Sequence, residues 1–296
     1  MPTEFSLPSF AKINWYLRIL GKRPDGYHEL CTLFQTISLH DTLHFAESDT
    51  LELTCNDPAV PTDDSNLIIQ AANALSRMTG KTKGAKIHLE KRIPSPGGLG
   101  GGSSNAYVAI IGLIRLWRVL MLDGDLAIAK RLGSDVAFFG FGGTAIGTGR
   151  GEIIERTDER EEQHMLIVTP DIKVSTTEAF EQNRAQSLTN ERQNHILSVC
   201  RIEAKYWNIR RSSMNDFEAA VFRMYPEIAR VKKVLLELGA VNAAMSGSGA
   251  SVFAIFDKEE TRQAALKALE IESNWRRFAV ATVTREEYRK ALQMTS

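Results

Sequence analysis

The sequence predicts an α+β protein built from two intimate domains, residues 1–155 and 156–296. Three observations lead there. Residues 10–20, "FAKINWYLRIL", alternate strictly in polarity as a half-buried strand does, while several later stretches carry apolar residues at helical spacing. Strand-like and helix-like segments are intermixed throughout. Near residue 155 a glycine-rich tract gives way to the charged run "RTDEREEQ", after which the pattern starts afresh without a repeat, a low-complexity tract or a long linker.

In the first segment Ile13, Trp15, Leu17 and Ile19 fall on one face, and Lys12, Asn14, Tyr16 and Arg18 on the other. "GKRPDGYHEL" carries the Pro and Asp-Gly signals of a tight connection, and "LFQTISLHDTLHF" reads as a strand pair around Asp41. Ser65 is the expected N-cap of a helix over "NLIIQAANALSRMTG", with Gly80 as its stop. "AKIHLEKRIP" reads as a strand. The loop after it leads into a helix opened by Ser103, Ser104 and Asn105 and running to about Leu122. A shorter helix ends at Gly133. Beyond residue 155 the charge run reads as solvated and "HMLIVTP" as a strand. Helical segments are expected near 177–184, 189–207 and 213–239, with a break at Pro226. A strand–turn–strand over "AVNAAMSGSGASVFAIF", a helix near 258–271, the strand "FAVATVT" and a last helix complete the chain.

Composition narrows the function. The 36 Lys and Arg balance 36 Asp and Glu, so no general affinity for nucleic acid is expected and any anion site must be local. Cys31, Cys55 and Cys200 are scattered and odd in number, which fits neither a disulfide framework nor paired zinc ligands and points to a reducing, cytoplasmic setting. No apolar run approaches the ~20 residues of a membrane span, and "MPTEFSLPSFAKINWYL" has no secretory pattern. Several decoys fail. "GKT" at 80–82 lacks the P-loop glycine, since residue 75 is leucine; Gly98-Leu99-Gly100 begins a G-x-G-x-x-G that ends on Ser103; no H-R-D or D-F-G is present. His40 and His44 have zincin spacing, but Asp41 stands where a glutamate is required, so no metal ligand is assigned there.

Four segments carry chemistry. "PSPGGLGGGSSNA" places five glycines in the six positions from Gly97 to Gly102, just before an apolar helix. Glycine lets backbone N–H groups approach an anion, and a helix start adds free donors and positive potential. A flexible surface turn is the plainer alternative. "RLGSDVAFF" sets Asp135 at a helix start, where by itself it reads first as an N-cap or first-turn carboxylate. "MSGSGAS" is either a second anion nest around Gly247, Ser248 and Gly249 or a hairpin turn. Lys12 and Asn14 share a polar strand face that by itself reads as solvated.

Together, "PSFAKINWYL", "PSPGGLGGGSSNA" and "AMSGSGASVFAIF" resemble, in order and wording, the three motifs of the GHMP small-molecule kinases, which include galactokinase, homoserine kinase and mevalonate kinase. "GLGGGSSNA", "AKIN", "RPDGYHEL" and "LGSDVAFF" narrow the resemblance to the 4-diphosphocytidyl-2-C-methyl-D-erythritol kinase family, over residues 8 to 285. The resemblance implies an N-terminal domain like the second domain of ribosomal protein S5 and a ferredoxin-like C-terminal domain. It also implies ATP as phosphoryl donor with Mg2+, and a cytidine-diphosphate-linked polyol as acceptor, with no nucleic acid or membrane partner, in a monomer or weak homodimer. By motif position it implies Lys12 and Asp135 as the catalytic pair, with Asn14, Tyr27 and His28 on the cytidine-diphosphate side; Tyr27 stacks on the base and His28 hydrogen-bonds it. Thr176 supplies a diphosphate contact and Phe180 the opposite ring. Asn66 and Lys91 fall on the adenine side. The triphosphate loop comprises Pro96, Gly97, Gly98, Leu99, Gly100, Gly101, Gly102, Ser103, Ser104 and Asn105, with Ser103 or Ser104 as the side chain open to the metal. Pro96 departs from the family's small residue, and Ala137 stands where proline is usual. The motifs leave open another GHMP kinase, or a nucleotide-binding sensor without turnover.

Overall fold

A computed structural model describes residues 4–80, 84–120, 124–182 and 190–294. Strands β1 (Glu4–Lys22) and β2 (His28–Ala46) form a long antiparallel ribbon. One half of β2 pairs with β4 (Ala85–Glu90), which also pairs with β3 (Leu51–Cys55); the other half pairs with β5 (Thr144–Gly149), followed by β6 (Ile153–Arg156). A second sheet has the order β11–β7–β10–β9, from β7 (Met165–Pro170), β9 (Asn242–Met245), β10 (Val252–Ile255) and β11 (Trp275–Val280). Read as first to fourth strand of that unit the order is 4-1-3-2 with helices between, a ferredoxin-like arrangement.

The helices form two outer layers. Helices α1 (Leu67–Thr79), α2 (Gly101–Trp117), α3 (Gly124–Leu132) and α4 (Ser134–Phe139) cover the first sheet. Beyond α5 (Thr176–Gln182), α6 (Asn190–Lys205) packs on the first sheet, while α7 (Glu218–Met224), α8 (Pro226–Glu237) and α9 (Glu259–Ala268) belong with the second. Between the sheets lies a shared apolar core, where Trp15 meets Phe253 edge to face with centroids 5.1 Å apart.

Several expectations are corrected. No turn interrupts β2 at Asp41: two extra residues, Ser38 and Leu39, bulge against β1, and the Ser38 N–H donates to the Ala281 carbonyl at 2.9 Å. The bend is thus absorbed without ending the strand. Trp15 is an extra residue on β1 between Asn14 and Tyr16, and alternation slips there. Tyr16 joins Ile13 and Trp15 in the inter-sheet core, while Leu17 comes to the same cleft as Lys12 and Asn14. Asn66, not Ser65, caps α1, its Oδ1 accepting the Ile68 N–H at 2.8 Å, while Ser65, one residue earlier, turns its hydroxyl to Asp63. Helix α2 starts at Gly101 behind a left-handed Gly100 and stops at Trp117. The charge run is not simply solvated: Glu162 is buried and accepts from Arg210 Nε and Nη2, and Glu159 binds Arg285. Residues 214–215, expected as helix, form β8 (Met214–Asn215), a strand parallel to β1 in the first sheet. Expected helix residues 121, 122, 183, 184 and 189 lie outside the described residues.

The C-terminal helix α10 (Arg285–Ala291) returns to the first sheet's core. There the wholly buried Tyr288 hydroxyl donates to the Phe139 carbonyl at 2.6 Å, at the end of α4. Burial pushes that phenol far above its ordinary value, so it stays a donor. Tyr288→Phe leaves the carbonyl without its partner and is expected to cost about 1–3 kcal/mol, measured as a lowered urea midpoint at unchanged slope.

Candidate active site

Two glycine loops meet between the sheets. The loop before α2 and the turn joining β9 to β10 are bound to one another: the Ser246 hydroxyl donates to the Gly98 carbonyl at 2.9 Å, and the Ser251 N–H to the Gly97 carbonyl at 3.2 Å. At Gly98, φ is +71° and a Cβ would stand 2.0 Å from the Ser246 carbonyl oxygen, so the approach excludes every side chain. Asn215 on β8 fixes the far loop, donating to the carbonyls of Met245 and Gly247 at 2.7 and 2.8 Å.

Above this junction opens a cleft of about 470 Å3. Its floor is β1. Lys12, only 3% exposed, donates to Asn14 Oδ1 at 2.8 Å and pairs with Asp135 Oδ2 at 3.3 Å, with its ammonium over the Phe34 ring. Asn14 donates to Thr32 Oγ1 at 2.7 Å, and the Thr32 hydroxyl donates to the Tyr16 carbonyl at 2.7 Å. The Lys12 N–H is given to the Leu99 carbonyl at 2.9 Å, tying strand to loop. Helix α4 presents Asp135 from its first turn. Among the expected residues, Lys12, Asn14, Asp135, Pro96 to Ser103, Thr176, Phe180, Gly247, Ser248 and Gly249 line this one cleft. Thr176 and Ser248 share a hydroxyl–hydroxyl bond of 2.9 Å across it.

Other expected residues lie apart from the lining. Ser104 is fully buried and accepts from Ser9 at 2.8 Å, whereas Ser103 faces the cleft. Asn105 is buried and donates to Asp41. Asn66 gives its Oδ1 to the helix cap and its Nδ2 to the Pro61 carbonyl. The Lys91 ammonium is buried on Asp41 at 3.0 Å, and burial lowers its pKa against the pull of that carboxylate. Tyr27 and His28 touch residues of the cleft instead of lining it. Arg150 lies over the exposed Tyr27 ring at 4.6 Å, and His28 stacks on Phe180 with centroids 4.8 Å apart. Burial and nearby Lys22 hold the His28 pKa below the usual imidazole value.

Sequence reasoning passed over Thr32, Phe34, Arg150 and Asn215, which belong to no glycine or charge motif; only the fold gathers them. His40 and His44 lie along a strand with separate partners, the Ser38 carbonyl and Ser6 with Glu90. Among the described residues no three His, Cys, Asp or Glu side chains gather as a metal site, and no helix is long and apolar enough to cross a membrane.

A lysine–carboxylate pair beside a glycine loop at a helix start, in a cleft between two α+β layers, defines a small-molecule phosphotransferase. Family models agree: "GHMP kinases N terminal domain" matches residues 66–143 and "GHMP kinases C terminal" residues 203–274. The 4-diphosphocytidyl-2-C-methyl-D-erythritol kinase of Chlorobium limicola is 41% identical over 269 residues, covering 88% of this chain and 91% of its own. A crystal structure of 4-(cytidine 5'-diphospho)-2C-methyl-D-erythritol kinase superposes with a TM-score of 0.75 at 31% identity, over 94% of this chain and 99% of that one. Homoserine kinase from Cytophaga hutchinsonii, at 19% identity and a TM-score of 0.71 over 97% of both chains, shares the fold. The chain belongs to the 4-diphosphocytidyl-2-C-methyl-D-erythritol kinase family of GHMP kinases.

Replacing Gly98 by alanine forces the two loops apart. Gly98→Ala is expected to cost about 1–3 kcal/mol of stability and to weaken ADP binding at least tenfold, read by titration calorimetry on the folded protein.

Proposed function

We propose that the chain transfers the γ-phosphoryl group of ATP to the 2-hydroxyl of 4-diphosphocytidyl-2-C-methyl-D-erythritol, a step of the non-mevalonate (methylerythritol phosphate) route to isoprenoid precursors. One observation carries this reading. The Lys12–Asp135 pair stands at 3.3 Å between the glycine loop and the wall bearing Thr176 and Phe180, where a donor phosphate and an acceptor hydroxyl meet. Membership of the family supplies the substrate class, and a reducing cytoplasmic setting fits the buried, unpaired Cys31 and Cys200.

Phosphoryl transfer runs through a loose transition state, so positioning and charge stabilisation carry most of the catalysis. Asp135 orients the acceptor hydroxyl and receives its proton as the oxygen bonds to the γ-phosphorus and the bond to the β-phosphate oxygen breaks. Lys12, held on Asn14 and Asp135, faces the charge that develops on the transferring group. The N–H groups of Gly98 to Ser103 cradle the triphosphate at the start of α2. Adenine rests against Leu67 and the backbone of Pro94 to Pro96, since the Asn66 side chain is engaged by the α1 cap and the Pro61 carbonyl, and the Lys91 ammonium by Asp41. The donor set suits Mg2+: the Ser103 hydroxyl beside the glycine loop and the accessible carboxylate of Asp135 would hold the ion, with phosphate and water as its other ligands. The ion neutralises phosphate charge when bound. On the acceptor side, Thr176 and Ser248 offer hydroxyls to the diphosphate, while Tyr27, His28 and Phe180 take the base.

ATP-dependent phosphorylation of the cytidylated methylerythritol tests the reading directly. Asp135→Asn is expected to lower kcat by about 10²–10⁴-fold with little change in substrate KM; near-normal turnover would remove Asp135 from the mechanism. Tyr27→Ala is expected to raise KM for the cytidylated substrate about tenfold, consistent with ~1–3 kcal/mol for stacking on a base, while KM for ATP stays within twofold. Equal rises in both would displace Tyr27 from the base site.

A further inference from the structure

Asp41 is the most completely buried carboxylate near the cleft, and the mechanism above makes no use of it. It sits in mid-strand on β2, directly behind the glycine loop. Its Oδ1 accepts the consecutive N–H groups of Arg92 and Ile93, each at 2.7 Å. Its Oδ2 accepts Asn105 Nδ2 at 3.0 Å, from the first turn of α2. The Lys91 ammonium pairs with the same carboxylate and also reaches the Ile93 carbonyl. One oxygen thus holds the residues that lead into the loop, and the other holds the helix that follows it.

We propose that Asp41 is a positioning residue for the triphosphate, fixing both ends of the glycine loop on one rigid carboxylate so that its N–H groups are set before the nucleotide arrives. Two physical arguments support it. A buried ion pair is a poor way to gain stability, since an apolar pair of similar volume does as well or better. Its presence behind the loop therefore points to another role, and the four donors gathered on the carboxylate supply one. Second, a lone carboxylate behind a phosphate cradle would repel the ligand. Lys91 cancels that charge and leaves only the geometry. The inference rests on the loop being the nucleotide cradle.

The test separates geometry from charge. Two double variants both delete the ion pair: Asp41→Asn with Lys91→Met, and Asp41→Ala with Lys91→Met. The amide can still accept from Arg92 and Ile93, and the buried Asn105, whose Oδ1 has no partner, can turn its amide to receive it. Alanine can do neither. ADP and CDP binding are measured by titration calorimetry on folded protein, without any turnover. The asparagine double is expected to bind ADP within threefold of the starting protein, and the alanine double at least tenfold more weakly, with CDP affinity within twofold in both. Equal ADP affinity in the two doubles, or an equal loss of ADP and CDP in the alanine double, overturns the proposal. If the alanine double does not fold, Asn105→Ala replaces it, since it cuts the helix-side link and leaves the ion pair in place. Its ADP affinity must then fall at least tenfold with CDP unchanged, and an unchanged ADP affinity overturns the proposal. A starting protein that binds ADP yet fails to phosphorylate the cytidylated substrate contradicts the proposed function and leaves this test intact.

Discussion

The cleft exists because two backbones touch. Ser246 to Ser251 approach Gly97 and Gly98 closely enough to donate to both glycine carbonyls, from the Ser246 hydroxyl and the Ser251 N–H, which sets the two sheets against each other at a fixed point. Everything catalytic hangs from that junction. Leu99, one residue on, accepts the Lys12 N–H and so brings the central strand under the loop, while Asn215 ties the far loop back to a strand that extends the same sheet. Neither sheet alone forms a pocket. One supplies lysine, carboxylate and phosphate loop; the other supplies hydroxyls and an aromatic ring, and the shared core around Trp15 and Phe253 keeps them from sliding.

Burying polar groups in that floor is costly unless each is partnered. The chain from Lys12 through Asn14 and Thr32 to the Tyr16 carbonyl meets the requirement with every link running the same way, donor to acceptor. This ordering also fixes which end of the Asn14 amide faces the lysine. The carbonyl that ends the chain belongs to the residue after the Trp15 bulge, so the irregularity in β1 is part of the site. A chain with no net charge still concentrates positive potential in this cleft, through one buried lysine, one arginine and a helix start, as the proposed binding of two polyanions requires.

Much of this was legible in the sequence, and the failures have common causes. Glycine clustering, the Lys12–Asn14 face and the small-residue turn each report a backbone requirement, and such requirements survive in sequence because few residue types meet them. Alternation failed at Tyr16 and Leu17 because one inserted residue reverses the faces of a strand, and nothing in the local composition marks a bulge. Asp41 looked like a turn residue because aspartate is rare inside a strand. Its partners lie 50 to 64 residues away, beyond any local signal. Ser65 and Asn66 are both good caps, and the helix start at Leu67 puts Asn66 in the capping position while Ser65 turns back to Asp63. Ser103 and Ser104 were likewise indistinguishable until Ser9 was found against the second.

The two ends of the cleft differ in readiness. The glycine-loop side, where the proposed function places the triphosphate, is already built: its glycines, its lysine and its helix start are each held by bonds within the protein. On the side proposed for the base, Phe180 rests on His28, so the ring that would meet a nucleobase is in use. Breaking an aromatic pair costs about 0.5–1.5 kcal/mol beyond area, whereas stacking a base on a ring returns about 1–3 kcal/mol. The exchange therefore favours the base, by a margin small enough that stacking alone gives little selectivity. In the proposed function the polar edge of His28 distinguishes the nucleotides, and burial with nearby Lys22 lowers its pKa, which favours the neutral imidazole. A neutral imidazole has one donor and one acceptor, and can read a base edge that an imidazolium, with two donors, would misread.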